Sequence, residues 1–205
     1  MSNQSIYNML RTAGMTKEGA CAMLGNMAAE SGMRAGNAQD VYGVVDEDYT
    51  AATDMGANNF VSDAIGYGLC QWTEASRKQK LLNYARMQGV SIADESMQVN
   101  FCIKELRDDF PDIWQTLTTS HDLLQCTQLV LNVYENPQIK NLGTRLDYAK
   151  QAEAYFGNNV PVTDDLVPDA CPIDGVSLQK LSAFLLTPEF KAAFKMWEGK
   201  YGALD

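Results

Sequence analysis

One glutamate on an apolar helix face is the residue of this sequence best placed for acid–base chemistry. Glu30 follows Met23 by seven residues and Met27 by three, so it continues the buried stripe of a helix that Thr16 can cap. Glutamate is rarely buried without a partner, and a helix C-terminus disfavours negative charge. Both effects favour the protonated carboxyl that a general acid needs near neutral pH. The alternative on this pattern alone is an ordinary helix-end glutamate that reaches water.

A second candidate for chemistry is the segment Gly-Tyr-Gly-Leu-Cys-Gln-Trp-Thr at residues 66–73. Its two glycines allow the backbone to pass close to another element or a ligand. Gln71 can hydrogen-bond a sugar or its N-acetyl group, while Tyr67 and Trp72 offer flat faces with polar edges that suit pyranose rings. The alternative for this segment by itself is a tight turn with core aromatic residues.

Helical periodicity predicts the elements that position these residues. Beyond a short first helix that stops at Gly14, the predicted helices cover residues 16–31, 76–88, 95–107, 122–134 and 142–156. Residues 37–68 are instead rich in Gly, Asn, Asp and Tyr, which indicates loops, a short helix over 48–54 and a small hairpin. The expected fold is therefore mainly α, with a small irregular or β-hairpin segment beside the site.

The composition changes after Gly157. Residues 158–172 hold three prolines and three aspartates, which is typical of a linker. We therefore predict a main domain over 1–157, a linker over 158–173 and a helical extension over 174–205. The extension carries an apolar face that we expect to dock on the main domain or on a partner subunit. The residues of this apolar face are Phe184, Leu185, Phe190, Phe194 and Trp197.

Charge and composition exclude several classes of function. The net charge is −10 with no basic run, so nucleic acid is not an expected partner. No apolar run approaches the roughly 20 residues of a membrane span, and the first 12 residues lack the apolar core of a signal peptide. The five cysteines form no CxxC pair and are expected to be reduced core residues. With His121 as the only histidine, a zinc site built on several histidines is excluded, and no metal or cofactor is expected.

Several motifs together resemble the phage tail lysozyme and endolysin family, over about residues 5–157. More distantly, the Glu-Ser pair and the Gly-Leu-Cys-Gln string resemble motifs of soluble lytic transglycosylases. At Asn136, this chain departs from an arginine that family members carry before the proline. The similar segments are residues 24–27, 29–32, 49–52, 59–63, 66–73 with Arg77, 134–137 and 145–149.

The resemblance implies a lysozyme-like fold and cleavage of the β-1,4 bond between N-acetylmuramic acid and N-acetylglucosamine in peptidoglycan. It also implies that Glu30 is the catalytic acid. The residues expected to contact the sugar are Ser31, Tyr67, Gln71, Trp72 and Tyr134. Such a protein would be made in the host cytoplasm and would reach the cell wall by holin-type release or as a virion tail component, with self-association through the C-terminal helices as a further option.

The step after protonation leaves alternatives open. A hydrolase needs a second group at the oxocarbenium-like centre, whereas a lytic transglycosylase uses the substrate's own hydroxyl and leaves a 1,6-anhydro end. Six acidic residues of the irregular segment could serve, and Asp63 is the preferred one because it precedes the 66–73 motif. Hydrolysis is the preferred outcome. The six acidic residues of the irregular segment are Asp40, Asp46, Glu47, Asp48, Asp54 and Asp63.

Two other classes of protein are considered. A cysteine amidase needs a nucleophilic cysteine with a later histidine, and only Cys21, Cys70 and Cys102 precede His121. A non-catalytic module would hold glycan or a partner without cutting it. Such a module does not need an acid at position 30, so the presence of Glu30 argues against this class.

Overall fold

The computed structural model describes residues 3–39, 43–137 and 139–157, and this part of the chain is mainly helical. The expected fold class is therefore confirmed. The helices are α1 (Asn3–Thr12), α2 (Lys17–Ser31), α3 (Asp46–Asp54), α4 (Ala75–Gln88), α5 (Glu95–Asp109), α6 (Pro111–Thr119), α7 (Leu123–Leu129), a π-helical turn (Val130–Glu135) and α8 (Leu142–Gly157).

Helix α2 is the centre of the core. It packs against α1, α6, α7 and α8, and its residues from Gly19 to Met27 are all buried, so it has no solvent face over these turns. The hydroxyl of Thr16 caps its start by accepting from the Gly19 amide at 3.0 Å. Gly32 ends it in the left-handed conformation, at φ 61°. Both predicted ends of this helix are confirmed.

Helix α8 crosses α2 at unusually short range. A Cβ atom on Gly25 would lie 2.5 Å from the Arg145 carbonyl oxygen and 2.8 Å from the Ala149 Cβ. Glycine at this position therefore lets the two backbones touch. The contact brings Arg145, at the start of α8, next to the C-terminal turns of α2.

The irregular segment between α2 and α4 is held by short pairings in place of strands. Tyr67 forms isolated antiparallel bridges with both Ala38 and Trp72. A small hairpin was predicted in this segment, and these two bridges are found in its place. The short helix expected over 48–54 is present as α3.

Two helical assignments differ from the sequence-based prediction. Helix α6 was not predicted; its first position is Pro111, where the missing amide hydrogen costs no intrahelical bond. The single helix predicted over 122–134 is wrong in its second half, where the backbone widens into the π-helical turn. There the Asn136 amide donates to the carbonyl of Leu131, five residues earlier, at 3.0 Å.

All described helices belong to one compact unit, Met1–Val160. The predicted linker over 158–173, the extension over 174–205 and the carboxylate of Asp40 lie outside the described residues. Within the described ranges, no helix combines the length and the apolar character that crossing a membrane requires.

Candidate active site

The Glu30 carboxyl lies at the C-terminal end of α2 with a cation from α8 beside it. The guanidinium of Arg145 donates from Nη2 to Glu30 Oε1 at 2.5 Å. Its Nη1 donates to Asn26 Oδ1 at 3.1 Å, and Asn26 is itself completely buried one turn before Glu30. The Glu30 side chain is 15 % exposed and that of Arg145 is 6 % exposed. The carboxyl is therefore fixed in orientation while part of it reaches solvent.

Ser31 connects this helix end to the 66–73 motif. Its buried hydroxyl lies 3.1 Å from the carbonyl oxygens of both Met27, in its own helix, and Leu69, and its one hydrogen can be donated to either. The Leu69 amide in turn donates to Gln98 Oε1 at 2.9 Å. Gln98 is completely buried and ties the motif to the loop after α2 through the Ala35 carbonyl. Ser31 thus positions the motif against Glu30.

The motif itself is a tight turn. Gly68 has φ 77° and Gln71 has φ 46°. The side-chain nitrogen of Gln71, Nε2, donates to the carbonyls of Gly68 and Asn37 at 3.0 and 3.1 Å. A left-handed glutamine is strained, by roughly 1–3 kcal/mol for such residues in general, and these two side-chain bonds help to hold it.

The aromatic residues expected at the sugar are buried. Tyr67 and Trp72 are 0 % exposed, and Tyr134 is 1 % exposed. Tyr67 packs against Tyr49 and Phe60, with its hydroxyl 2.6 Å from that of Thr50. The burial of Tyr67 and Trp72 agrees with the alternative of a turn with core aromatic residues, and Tyr134 is a core residue as well.

Glu105 of α5 joins the motif to the π-helical turn, and sequence reasoning did not identify it. This buried carboxylate binds Arg77 through two bonds of 2.8 Å each. It also accepts from Trp72 Nε1 at 3.0 Å and from the Tyr134 hydroxyl at 2.7 Å. Arg77 further donates to the Tyr134 carbonyl at 3.1 Å, so one ion pair fixes both ends of that tyrosine.

Glu135, the last residue of the π-helical turn, was also missed as a site residue. The residue is half-buried as a whole, but its Oε1 atom is buried and finds no hydrogen-bond partner among the described residues. Burial raises the pKa of its carboxyl well above the usual range, and the negative charge of Glu30 raises it further. Arg77 and Arg145 oppose this shift without reversing it. The one signal in the sequence was its place in the Tyr-Glu-Asn-Pro motif.

Asp63 has its oxygens engaged on the other side of the motif. It accepts from Lys78 at 2.6 Å, from the Tyr49 hydroxyl at 2.6 Å and from the Ile65 amide at 3.0 Å. Burial acts to raise the pKa of Asp63, but these three bonds outweigh burial and hold the pKa below its usual value. Within the described residues, no hydrogen bond or ion pair joins Asp63 to Glu30.

Among the described residues, no hydrogen bond pairs a cysteine thiol with the histidine, as a cysteine amidase would require. The four cysteines that the structure describes are free and buried, and burial raises the pKa of the Cys21 thiol to about 12. His121 is 79 % exposed, and its Nδ1 lies 3.1 Å from Glu18 Oε2.

Comparison with known proteins adds two findings. The model of a family described as phage tail lysozyme matches residues 2–156. "Morphogenesis protein 1" of Bacillus phage B103 is 28 % identical over 163 residues, which is 75 % of this chain and 38 % of that relative. The chain therefore spans less than half the length of this curated relative.

Proposed function

Because the chain belongs to the phage tail lysozyme family, we propose that it cleaves the glycan strands of bacterial peptidoglycan with Glu30 as the proton donor. The bond in question is the β-1,4 link between N-acetylmuramic acid and N-acetylglucosamine. The observation that carries the proposal is the partly exposed Glu30 carboxyl, held by Arg145 at the end of α2. A carboxyl fixed in orientation and open to solvent suits a general acid.

In this mechanism Glu30 gives its proton to the glycosidic oxygen as the bond to the anomeric carbon breaks. The leaving sugar departs with the proton, and Glu30 remains as a carboxylate. The Arg145 guanidinium, 2.5 Å away, stabilises that carboxylate. The buried rings of Tyr67, Trp72 and Tyr134 would support the sugar site from beneath, whereas the partly exposed Gln71 is the better placed of the candidates to contact a sugar.

Hydrolysis is the preferred outcome, and Asp63 is the second carboxylate suggested by the sequence. Its contacts in the structure favour a role in positioning Lys78, Tyr49 and the Ile65 backbone. Its two oxygens accept three hydrogen bonds, from Lys78, Tyr49 and Ile65, so most of its capacity to accept hydrogen bonds is used within the protein.

The relatives support a proposal for where the protein acts. A family of phage tail lysozymes and a relative named as a morphogenesis protein both support a protein that works as part of a phage particle. We infer that the chain opens the wall locally from a virion tail; release as a free endolysin is the alternative.

The test is digestion of purified peptidoglycan, with mass spectrometry of the released fragments. Glu30→Gln can still accept a hydrogen bond from Arg145 but has no acidic proton, so we expect a loss of at least about 10²-fold. Glu74→Gln makes the same change at an exposed residue and should cleave at the wild-type rate. A folded Glu30→Gln protein that cleaves normally would reject Glu30 as the acid.

The same fragments decide the reaction type. A 1,6-anhydro end is lighter than a reducing end by one water molecule. We expect reducing ends; exclusively anhydro ends would identify a lytic transglycosylase.

A further inference from the structure

We propose that Asn26 is a positioning residue for this reaction: it holds one arm of the Arg145 guanidinium, so that the other arm fixes the Glu30 carboxyl. The inference rests on the proposed function, because it concerns how the site directs its proton donor. It begins from a completely buried amide side chain in the core, where an apolar residue would pack without any need for hydrogen bonds.

Asn26 lies on the same face of α2 as Glu30, one turn earlier in the helix. Residues four apart are neighbours on a helix surface, so a single group from α8 can reach both. Arg145 supplies this group, with Nη1 bound to Asn26 Oδ1 at 3.1 Å and Nη2 bound to Glu30 Oε1 at 2.5 Å. Because the guanidinium is planar and rigid, the bond at Nη1 restricts the direction in which Nη2 can point.

The amide of Asn26 is itself held so that its oxygen faces the guanidinium. Its Nδ2 atom donates to the Ala22 carbonyl at 2.9 Å and to the Thr127 carbonyl, on α7, at 3.4 Å. A flipped amide would turn Nδ2 towards Arg145, which has no acceptor, and would lose all three bonds. The backbones of α2 and α7 therefore set the direction of the Asn26 oxygen.

Among the described residues, the guanidinium of Arg145 has hydrogen bonds to the side chains of Asn26 and Glu30 alone. Its Nε atom is buried and finds no hydrogen-bond partner in this part of the chain. Without Asn26 the guanidinium would keep one side-chain partner, and it could turn about that single bond. Asn26 thus converts one contact into a two-point clamp, made of Asn26, Arg145 and Glu30.

The clamp predicts that the geometry of the guanidinium matters beyond its positive charge. A general acid transfers its proton efficiently only when it points at the glycosidic oxygen, and a misplacement of about 1 Å can cost about 10²-fold in rate. Loss of Asn26 should therefore lower kcat and leave the binding of glycan, and with it KM, nearly unchanged.

The test measures kcat and KM on soluble, uncross-linked glycan strands of peptidoglycan. Asn26→Leu is similar in size but removes the acceptor, and we expect kcat to fall by about 10- to 100-fold with KM within about threefold of the wild type. Thr127→Val is the matched control. It removes the buried bond from the Thr127 hydroxyl to the Leu123 carbonyl, 2.7 Å long, but keeps the backbone carbonyl that Asn26 uses. This control should keep the wild-type kcat.

A second substitution shows whether Asn26 acts through Arg145. Arg145→Lys keeps the positive charge but loses the planar fork that reaches two partners at once. We expect it to lower kcat about as much as Asn26→Leu does, and we expect the double variant to be no slower than Arg145→Lys alone. Losses that multiply in the double variant would overturn the clamp, and so would a wild-type kcat in folded Asn26→Leu.

NMR of the arginine side chain gives a readout that does not depend on turnover. With both arms held, rotation about the Nε–Cζ bond of Arg145 is slow, so we expect separate Nη1 and Nη2 signals in the wild type. These signals should merge in Asn26→Leu, or in the shorter Asn26→Ser if the leucine variant does not fold. Signals that stay separate would overturn the role of Asn26. A wild-type protein that releases no fragments would reject the proposed function and the catalytic use of the clamp, while the NMR comparison would still decide whether Asn26 holds Arg145.

Discussion

At the scale of single residues, the structure gives different surroundings to the two carboxylates that the sequence suggested for the reaction. Glu30 has one cation beside it and remains 15 % exposed. Asp63 instead neutralises Lys78, whose side chain is 0 % exposed. Burial lowers the pKa of Lys78, and the Asp63 carboxylate opposes that shift. The Asp63–Lys78 pair is therefore placed to stabilise the junction of α4 with the segment that precedes the 66–73 motif.

This pairing predicts that Asp63→Asn is destabilising at neutral pH. It leaves the buried Lys78 without a charged partner, which costs roughly 3–5 kcal/mol for fully buried pairs; because Asp63 is 17 % exposed, we expect the lower end. The folded pKa of Asp63 is lowered, so its stabilisation is present above the unfolded value of about 3.9 and is lost as pH falls through the folded value.

Urea unfolding at pH 7 and near pH 2.5 measures both effects. The difference between wild type and Asp63→Asn should be large at pH 7 and should shrink at the acidic pH. The exposed Asp48→Asn serves as the control and should change the unfolding free energy by less than about 1 kcal/mol. A difference that is independent of pH would show that the ion pair does not stabilise the fold. Full activity of the folded variant would remove Asp63 from the mechanism.

At the scale of elements, the site depends on the crossing of α2 and α8. Glu30 comes from α2 and Arg145 from α8, and these two helices meet at Gly25, which has no side chain. The Arg145 backbone lies directly against Gly25, so this contact fixes the point from which the guanidinium extends to Glu30. Residues 24–27 were one of the segments that resemble the family. The glycine in this segment, Gly25, is explained by the close packing of α2 against α8.

Gly25→Ala tests the crossing. In an exposed helix interior this change stabilises by roughly 0.5–1 kcal/mol, but here the new methyl group overlaps α8 backbone. We expect a net loss of about 1–3 kcal/mol, typical of overpacking, together with reduced cleavage because Arg145 is displaced. Thermal unfolding and the peptidoglycan assay measure the two effects.

Gly143→Ala is the matched control for that change. Gly143 also lies in a helix, but the nearest atom to its added Cβ is a side-chain oxygen of Asn141 at 3.8 Å. This variant should be as stable as the wild type or slightly more stable, with normal cleavage. If both variants behave alike, the α2–α8 contact does not position the site.

At the scale of the whole molecule, the candidate site residues that the structure describes all lie within the helical unit. Glu30, Arg145, Glu105 and Glu135 all lie before residue 157, and the family match covers residues 2–156. The relative from Bacillus phage B103 is longer, since this chain covers only 38 % of it. The unit is therefore expected to act as a self-contained module.

Truncation after Gly157 tests this expectation. We predict that residues 1–157 unfold cooperatively and release the same fragments from peptidoglycan as the full chain. Solubility should fall if the extension docks on this unit, because its partner surface would then be exposed. Circular dichroism melting and fragment analysis measure the outcome. A truncated protein that folds but does not cleave would place part of the active machinery in residues 158–205.

Local sequence determined much of what surrounds Glu30. The 3.6-residue period placed Glu30 on a buried face, and Thr16 and Gly32 set the ends of α2, because capping and periodicity act over a few residues. The glycines and polar residues of 66–73 indicated a turn for the same reason. The sequence did not decide whether the rings of that turn face a sugar or the core, since aromatic residues suit both.

Only the tertiary structure decided which charges meet. Arg145 is 115 residues from Glu30 in the chain, and no local pattern pairs them. The position of Glu135 depends on a π-helical turn, on Arg77 and on the packing of α2, each from a different element. The proton affinity of a carboxyl depends on the charges and the water within a few ångströms of it, and packing sets both.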